Sequence, residues 1–276
     1  MAPDVESFLR WLLSRAGLNL RHYKPETLIR RLPACLRTLR VNSLAQARSL
    51  LQRQPHLAGA ALDALLIGVT GFFRDDAVFS TLHRRTLPDL LRRWQAQKDS
   101  RTFRVWSAGC SDGAELYSVA ILLVELGALS PFGVELVGTD CRPEALERAA
   151  AGAFDAAAVK SVPPHLLHRY FSFDGSRYRL QRAVRAAVRW RCGDALAAPE
   201  PGPWDLVLCR NVAIYLQPES AAVLWPSLAT VLRPGGALVL GKAERPTGVA
   251  DLVNEGPCVF RRVDAARGGT RNGAGR

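Results

Sequence analysis

The hydrophobic positions of this chain change their period near residue 100. Before it, "VESFLRWLLSRAGL", "ETLIRRLPACLRTLRV" and "SLAQARSLLQRQ" place apolar residues three and four apart, the spacing of one buried helix face. Ser43 suits the N-cap of the third segment, and Pro33 interrupts the second, which predicts a break near Arg31. Residues 1–85 therefore read as an all-helical unit.

From Arg101 the texture alternates. "FRVWSAG" predicts a strand ending in glycine, and "AELYSVAILLVELG" an amphipathic helix closed by Gly127. "VELVGTD" predicts a strand ending at Asp140, followed by the helix "PEALERAAAG" with Pro143 near its start. "WDLVLCRNV" reads as a strand, "PESAAVLWPSLATVL" as a helix, and "GGALVLGKAE" as a strand after the turn Arg233-Pro234-Gly235-Gly236. This rhythm over residues 86–263 implies an α/β domain, a mostly parallel sheet with helices on both faces. "YFSFDGSRYRLQRAVRAAVRWRCGD" breaks the rhythm. Its Asp174-Gly175 turn and flanking alternation predict a small antiparallel hairpin inserted at about residues 170–190. The end, residues 264–276, carries no large apolar side chain and is expected to be disordered.

Composition narrows the classes. A chain of 276 residues, 48% hydrophobic, can bury one full α/β core and a smaller unit. No apolar run reaches bilayer length, and "MAPDVESFLRWLL" lacks the layout of a signal peptide, so no membrane insertion is expected. The cysteines Cys35, Cys110, Cys141, Cys192, Cys209 and Cys258 form no C-x-x-C pair, which suits small buried hydrophobes in a reducing, cytoplasmic compartment. The net charge of +12 calls for an anionic partner, nucleic acid or an acidic protein surface, unless it reflects arginine-rich coding in a GC-rich genome. Arg30, Arg31, Arg37 and Arg40 crowd one segment, as a solvated face or a docking surface.

The string Gly109-Cys110-Ser111-Asp112-Gly113 has two readings. It fits G-x-S-x-G, the nucleophile elbow of α/β-hydrolases, and it fits a strand-to-helix turn that makes room for a nucleotide-like cofactor. The elbow needs an acid and then a histidine beyond the last core strands, but only His165 and His168 follow Ser111, ahead of two further βα units. The cofactor reading uses more residues. Gly109 lets the backbone approach a ligand at the next helix's N-terminus, and Asp140, ending the second strand, can accept ribose hydroxyls. "WDLVLCRNVAIYL" and "LRPGGALVLG" resemble the later half of S-adenosylmethionine (SAM)-dependent methyltransferases.

The segments "VTGFFRD", "WSAGCSDGAELYS", "VGTD", "CRNVAIYL" and "LRPGGALVLGKAE" occur in the order found in chemotaxis receptor glutamate methyltransferases, the CheR family. The resemblance runs from near the N-terminus to Val263. It implies a Rossmann-like class I methyltransferase domain behind a small helical one, with the hairpin as an inserted β-subdomain. It also implies SAM as cofactor, S-adenosylhomocysteine (SAH) as product, and no metal. By similarity, Thr70 and Arg74 reach over the cofactor, Glu115 holds the methionyl ammonium, and Asp140 the ribose diol. Asp194 and Ala195 meet the adenine, while Arg210 and Asn211 line the methionyl part. Arg74 is the candidate to orient the accepting carboxylate, and Tyr215 to contact the methyl site. Without the family, Glu115 equally serves the helix dipole, Arg74 is an exposed charge, and Tyr215 is an aromatic residue packing where a strand ends.

The implied partner is the cytoplasmic part of a chemoreceptor, a coiled coil with acidic methylation regions facing the basic helical segment. The hairpin is a few residues short of the version that grips a receptor's C-terminal peptide, so recognition without that tether is expected, as is no nucleic acid partner. Five residues at three places depart from the family pattern. Gly113-Ala114-Glu115-Leu116-Tyr117-Ser118 stands for G-E-E-P-Y-S, Gly68 for an asparagine, and Lys242-Ala243 for His-Ser. Gly68 and Ala114 motivate a rival reading as an inactive SAM-binding scaffold. The basic charge motivates another, a methyltransferase of RNA or of small molecules.

Overall fold

The computed structural model describes residues 1–66, 70–96, 102–129 and 133–263; Gly68 and the expected tail at 264–276 lie outside them. The chain begins with α1 (Pro3–Ser14), α2 (Pro25–Ile29), α3 (Leu32–Leu39), α4 (Leu44–Arg53) and α5 (Ala58–Leu66). α1 starts on a proline, carries Asp4 and Glu6 at its positive end, and buries Phe8, Leu9, Leu12 and Leu13 as one stripe. Ser43 caps α4 by accepting the Gln46 N–H at 3.2 Å, and Pro33 separates α3 from α2 at Arg30–Arg31, both as the sequence requires. These helices share a core that includes Leu28, Cys35, Leu51 and Leu65.

A different core follows. Phe72, Phe73, α6 (Asp76–Thr81), a π-helical turn at 82–86 and α7 (Leu87–Ala96) pack on the β-sheet, not on the first helices. The change of core thus falls between Leu66 and Thr70, earlier than residue 85. The sheet is entered through β1 (Phe103–Ala108), α8 (Ala114–Glu125), β2 (Val134–Asp140) and α9 (Pro143–Ala151). The small strands β3 (Ala153–Phe154), β4 (Phe171–Phe173) and β5 (Tyr178–Leu180) surround α10 (Pro164–Tyr170) in sequence. Then come α11 (Arg182–Ala186), β6 (Val188–Cys192), β7 (Trp204–Cys209), α12 (Pro218–Thr230), β8 (Leu232–Leu240), β9 (Leu252–Gly256) and β10 (Val259–Arg262).

The main sheet has the order β6-β2-β1-β7-β8-β10-β9. β6, β2, β1, β7 and β8 run parallel, while β10 is antiparallel to both its neighbours. This is the seven-stranded class I methyltransferase topology, with β1 and β7 at the point where strand order reverses. The β9–β10 hairpin was not foreseen from the sequence: its strands are short, and three of the five β9 residues are exposed.

Two expectations are revised. α8 reads as amphipathic, yet nine of its twelve residues are buried, from Ala114 to Leu123. The sheet covers one side, and the β3–β5–β4 layer and α11 help to cover the other. The inserted hairpin itself spans only Phe171–Leu180, where Asp174 accepts the backbone N–H groups of Ser176 and Arg177 and Gly175 takes φ +95°. Beyond it the chain turns helical in α11 and then supplies β6, already the outer strand of the main sheet. The alternation in "VRWRC" belongs to that half-exposed strand.

The helical unit docks on the sheet's carboxyl edge at two places. Lys24 N donates to Tyr215 O at 2.8 Å, Gln217 N to His22 O at 2.8 Å, and His22 Nδ1 shares a hydrogen bond with Ser220 Oγ at 3.0 Å. On the far side, Asp63 of α5 meets Arg142 and Arg148 at 2.6 Å each, and Gly59 admits the Glu144 side chain where a Cβ would collide.

Candidate active site at the domain junction

Between those two contacts lies a cavity of about 250 Å³. Its wall is formed by Tyr23 and Leu66 from the helical unit, Thr70 and Arg74 from the connection, and loops leaving β1, β2 and β7. Such a crevice beyond the carboxyl ends of parallel strands, at a reversal of strand order, is where open α/β sheets bind ligands.

The "GFFRD" segment is held in place by its aromatics. Phe72 is fully buried, edge-on to Phe154 and Phe171 and stacked on Tyr117, and Phe73 N donates to Ser118 Oγ at 3.0 Å. Phe73 and Asp75 both take positive φ, so the chain kinks on either side of Arg74 and brings it to the cavity. Arg210, leaving β7, is the hub beneath. Its guanidinium donates to Glu115 Oε2 at 3.0 Å, Asp75 Oδ2 at 2.6 Å and Arg74 O at 3.1 Å, over the Phe79 ring. Lys242 reaches the other oxygen of Asp75 at 2.8 Å, so the residue standing for the family's histidine closes an ion-pair chain.

Burial pushes the Glu115 carboxyl above the ordinary glutamate range, against the opposing pull of Arg210 and Ser107. Burial also pushes Asp75 upward, but the Lys242 hydrogen bond and the charges of Arg210 and Lys242 outweigh it and leave Asp75 below its usual value. Tyr215 is raised by burial, against the nearby charges of Arg31 and Arg74, so its hydroxyl keeps its proton and remains a donor.

The ambiguous string resolves as a turn. Gly109 takes φ +72° and lines the cavity, and a Cβ there would lie 2.6 Å from Val212 Cγ2, so it also admits the loop after β7. Gly113 takes φ +84° against the Trp190 ring. Ser111 spends its N–H on Asp140 Oδ2 at 2.8 Å, and His165 and His168 are exposed on α10, so no nucleophile triad exists among the described residues.

Of the residues expected at a site, the structure gathers Thr70, Arg74, Gly109, Glu115, Asp140, Arg210, Asn211 and Tyr215 around this one cavity. Asp194 and Ala195 follow β6 next door. The Asp194 carboxylate accepts Leu196 N at 2.9 Å, and neither residue lines the cavity. Asp140 is more occupied than expected. Oδ1 accepts Arg142 N and Nε, at 3.0 and 2.9 Å, and Oδ2 accepts Ser111 N and Arg142 Nη2.

Two supporting residues were not found from sequence. Arg142 grips Asp140 and hands its remaining amine to Asp63, joining the cavity floor to the helical unit. Glu244 is buried and accepts Asn211 N at 2.9 Å, Ala213 N at 2.7 Å and Gly241 N at 2.7 Å. It clamps the β7 loop, with Asn211 at φ +60°, onto the end of β8. The only available hint was an acid four residues beyond a strand end.

The residues present fit a zwitterionic adenosyl ligand. The Nε of Arg210 is buried without an acceptor among the described residues, as a ligand carboxylate would supply. Glu115 shares the wall with the charged side chains of Arg74, Asp140, Arg142 and Arg210, and with the apolar Leu66, Val212 and Ile214.

Residues 3–66 match the family "CheR methyltransferase, all-alpha domain", and residues 68–256 match "CheR methyltransferase, SAM binding domain". The Chemotaxis protein methyltransferase 1 of Pseudomonas aeruginosa is 32% identical over 257 residues, covering 90% of this chain and 92% of that one. Chemotaxis protein methyltransferase Cher2 of Pseudomonas putida is 30% identical, covering 90% and 92%. The chemotaxis protein methyltransferase of Listeria monocytogenes is 29% identical, covering 91% and 95%.

Proposed function

The chain belongs to the CheR methyltransferase family, and from that premise we propose that it methylates glutamate side chains on the cytoplasmic part of a chemoreceptor, giving methyl esters and SAH. When bound, SAM supplies an electrophilic methyl group on a sulfonium. The work left to the protein is to hold two reactants in line and to exclude water.

A carboxylate is nucleophilic at neutral pH without a general base, so proximity, alignment and control of charge carry the rate. Arg74, at the cavity rim and held by the Phe72-Phe73 anchor, orients the incoming glutamate through a guanidinium–carboxylate pair. Tyr215 adds a donor hydroxyl beside it. Glu115, paired with Arg210, would hold the methionyl ammonium, and Arg210 Nε would hold the methionyl carboxylate. Asp140, whose oxygens also accept from Arg142, would hold the ribose diol.

The observation that carries this reading is the meeting of Arg74, Glu115, Arg210 and Tyr215 at one cavity roofed by a basic helical unit. Arg30, Arg37 and Arg40 are exposed on that unit, and the charge of Arg31 reaches Tyr215. An acidic coiled coil laid on this face brings its glutamates to the rim. The short hairpin fits recognition without a tethering peptide, in the cytoplasm; no helix among the described residues is long and apolar enough to cross a membrane.

The test is transfer of labelled methyl from SAM to a purified receptor cytoplasmic fragment. Base-labile label on the fragment is the expected result. SAM binding without transfer would point to an inactive scaffold, and base-stable label on RNA to a nucleic acid substrate.

A further inference from the structure

A second cavity, about 480 Å³, lies at the opposite edge of the sheet and shares no residue with the first. It opens between the π-helical turn at 82–86, α7 and the β8–β10 edge. Five arginines line it against two carboxylates. Arg261, with its side chain 7% exposed, forms the floor; Glu255 and Gly235 O fix its guanidinium at 2.7–2.9 Å. Asp89 is shared by three of the arginines, Arg92, Arg93 and Arg261, at 3.4, 2.8 and 3.1 Å. Arg84 and Arg85, both exposed, make no ion pair with any described residue.

Two carboxylates divided among three guanidiniums, beside two more left unpaired, leave a concave surface short of negative charge. Like charges this close repel, and an anion that bridges them removes the cost. Arginine forks match tetrahedral oxyanions through paired hydrogen bonds, and several forks around one hollow match a chain of such groups. The wall has no aromatic ring on which a base or sugar would stack; its other members are Thr81, Thr86 and Pro88. The recognition chemistry is therefore that of phosphate oxygens alone.

We propose that this cavity binds an oligophosphate, either free or as the tail of a nucleotide, at a site separate from the methyl-transfer cavity. Inorganic triphosphate, titrated calorimetrically into the full chain, is expected to bind saturably, and SAH is expected not to displace it. The variant Arg84→Ala/Arg85→Ala should bind about tenfold or more weakly. The variant Arg53→Ala/Arg177→Ala loses the same formal charge elsewhere and should stay within about twofold of the parent. Unchanged SAH affinity in both variants certifies the fold, with Arg84→Gln/Arg85→Gln in reserve should the alanine pair not fold. ATP binding more tightly than inorganic triphosphate assigns the natural ligand to nucleotides; equal or weaker binding assigns it to free oligophosphate. The proposal is overturned if triphosphate gives no saturable heat, or if both double variants weaken it equally, which would make the affinity a property of net charge.

Discussion

Replacing Glu244 by glutamine tests whether one buried carboxylate organises the site it never touches. The wild-type side chain accepts three backbone N–H groups from two loops, on Oε2 from Asn211 and Gly241 and on Oε1 from Ala213. Hydrogen bonds to a charged acceptor contribute about 1.5–3 kcal/mol each. Glutamine keeps the volume and one acceptor, so two bonds survive as neutral ones, while its amide points a donor at the third N–H. The net loss is about 3 kcal/mol, a large part of the 5–15 kcal/mol that stabilises a typical domain. Urea unfolding followed by far-UV circular dichroism should show the midpoint falling with the slope unchanged. Calorimetry on the still-folded variant should show weaker SAH binding, because Asn211 and its neighbours line the cavity. A stability loss below about 0.5 kcal/mol, the scatter of surface substitutions, would refute the clamp.

Arg210→Lys should be costly despite keeping the charge. A single ammonium cannot serve Glu115, Asp75 and the Arg74 carbonyl together, so a loss of about 3–5 kcal/mol in unfolding free energy is expected, with about tenfold weaker SAH binding. Burial raises the Asp112 carboxyl to about 6, above its unfolded value near 3.8, so the folded state holds its proton more tightly. That contribution is present below pH 4 and is lost as pH rises through 6, by at most about 3 kcal/mol. Asp112→Asn should therefore flatten the stability profile between pH 4 and 6 in thermal melts, and an unchanged profile would count against the buried-acid assignment. A double-mutant cycle on Asp63→Asn and Arg142→Met should yield a coupling of about 1–3 kcal/mol in unfolding free energy. A value near zero would mean that this tie does not fasten the helical unit.

The parts legible in the sequence were those with local signals. β1, β2, β7 and α9 follow from apolar runs ended by glycine, aspartate or proline, and Pro33 and Ser43 mark helix limits through backbone chemistry that acts within one turn. What escaped depends on partners distant in sequence. α8 shows helical spacing, but the layer that buries its outer side is supplied by residues 153–186. Phe72 and Phe73 read as the end of a helical region, yet their partners Tyr117, Phe154 and Phe171 place them in the sheet's core. β9 and β10 are five- and four-residue strands whose pattern is weak until β8 stands beside them. At the site, Glu115 and Asp140 stand at motif positions, whereas Arg142 and Glu244 act through contacts made only when loops from different strands meet. A charge beside a strand end does not by itself disclose which backbone it will hold.

We propose that the cavity at the domain junction is a SAM site built on Glu115 and Arg210. Its most direct measurement is calorimetric titration of SAH into the purified chain and into Glu115→Gln. Single-site, saturable binding to the parent is expected, with binding to the variant about tenfold weaker or more, a loss of about 1.4 kcal/mol or more. No saturable heat with the parent, or equal affinity in both proteins, would contradict it.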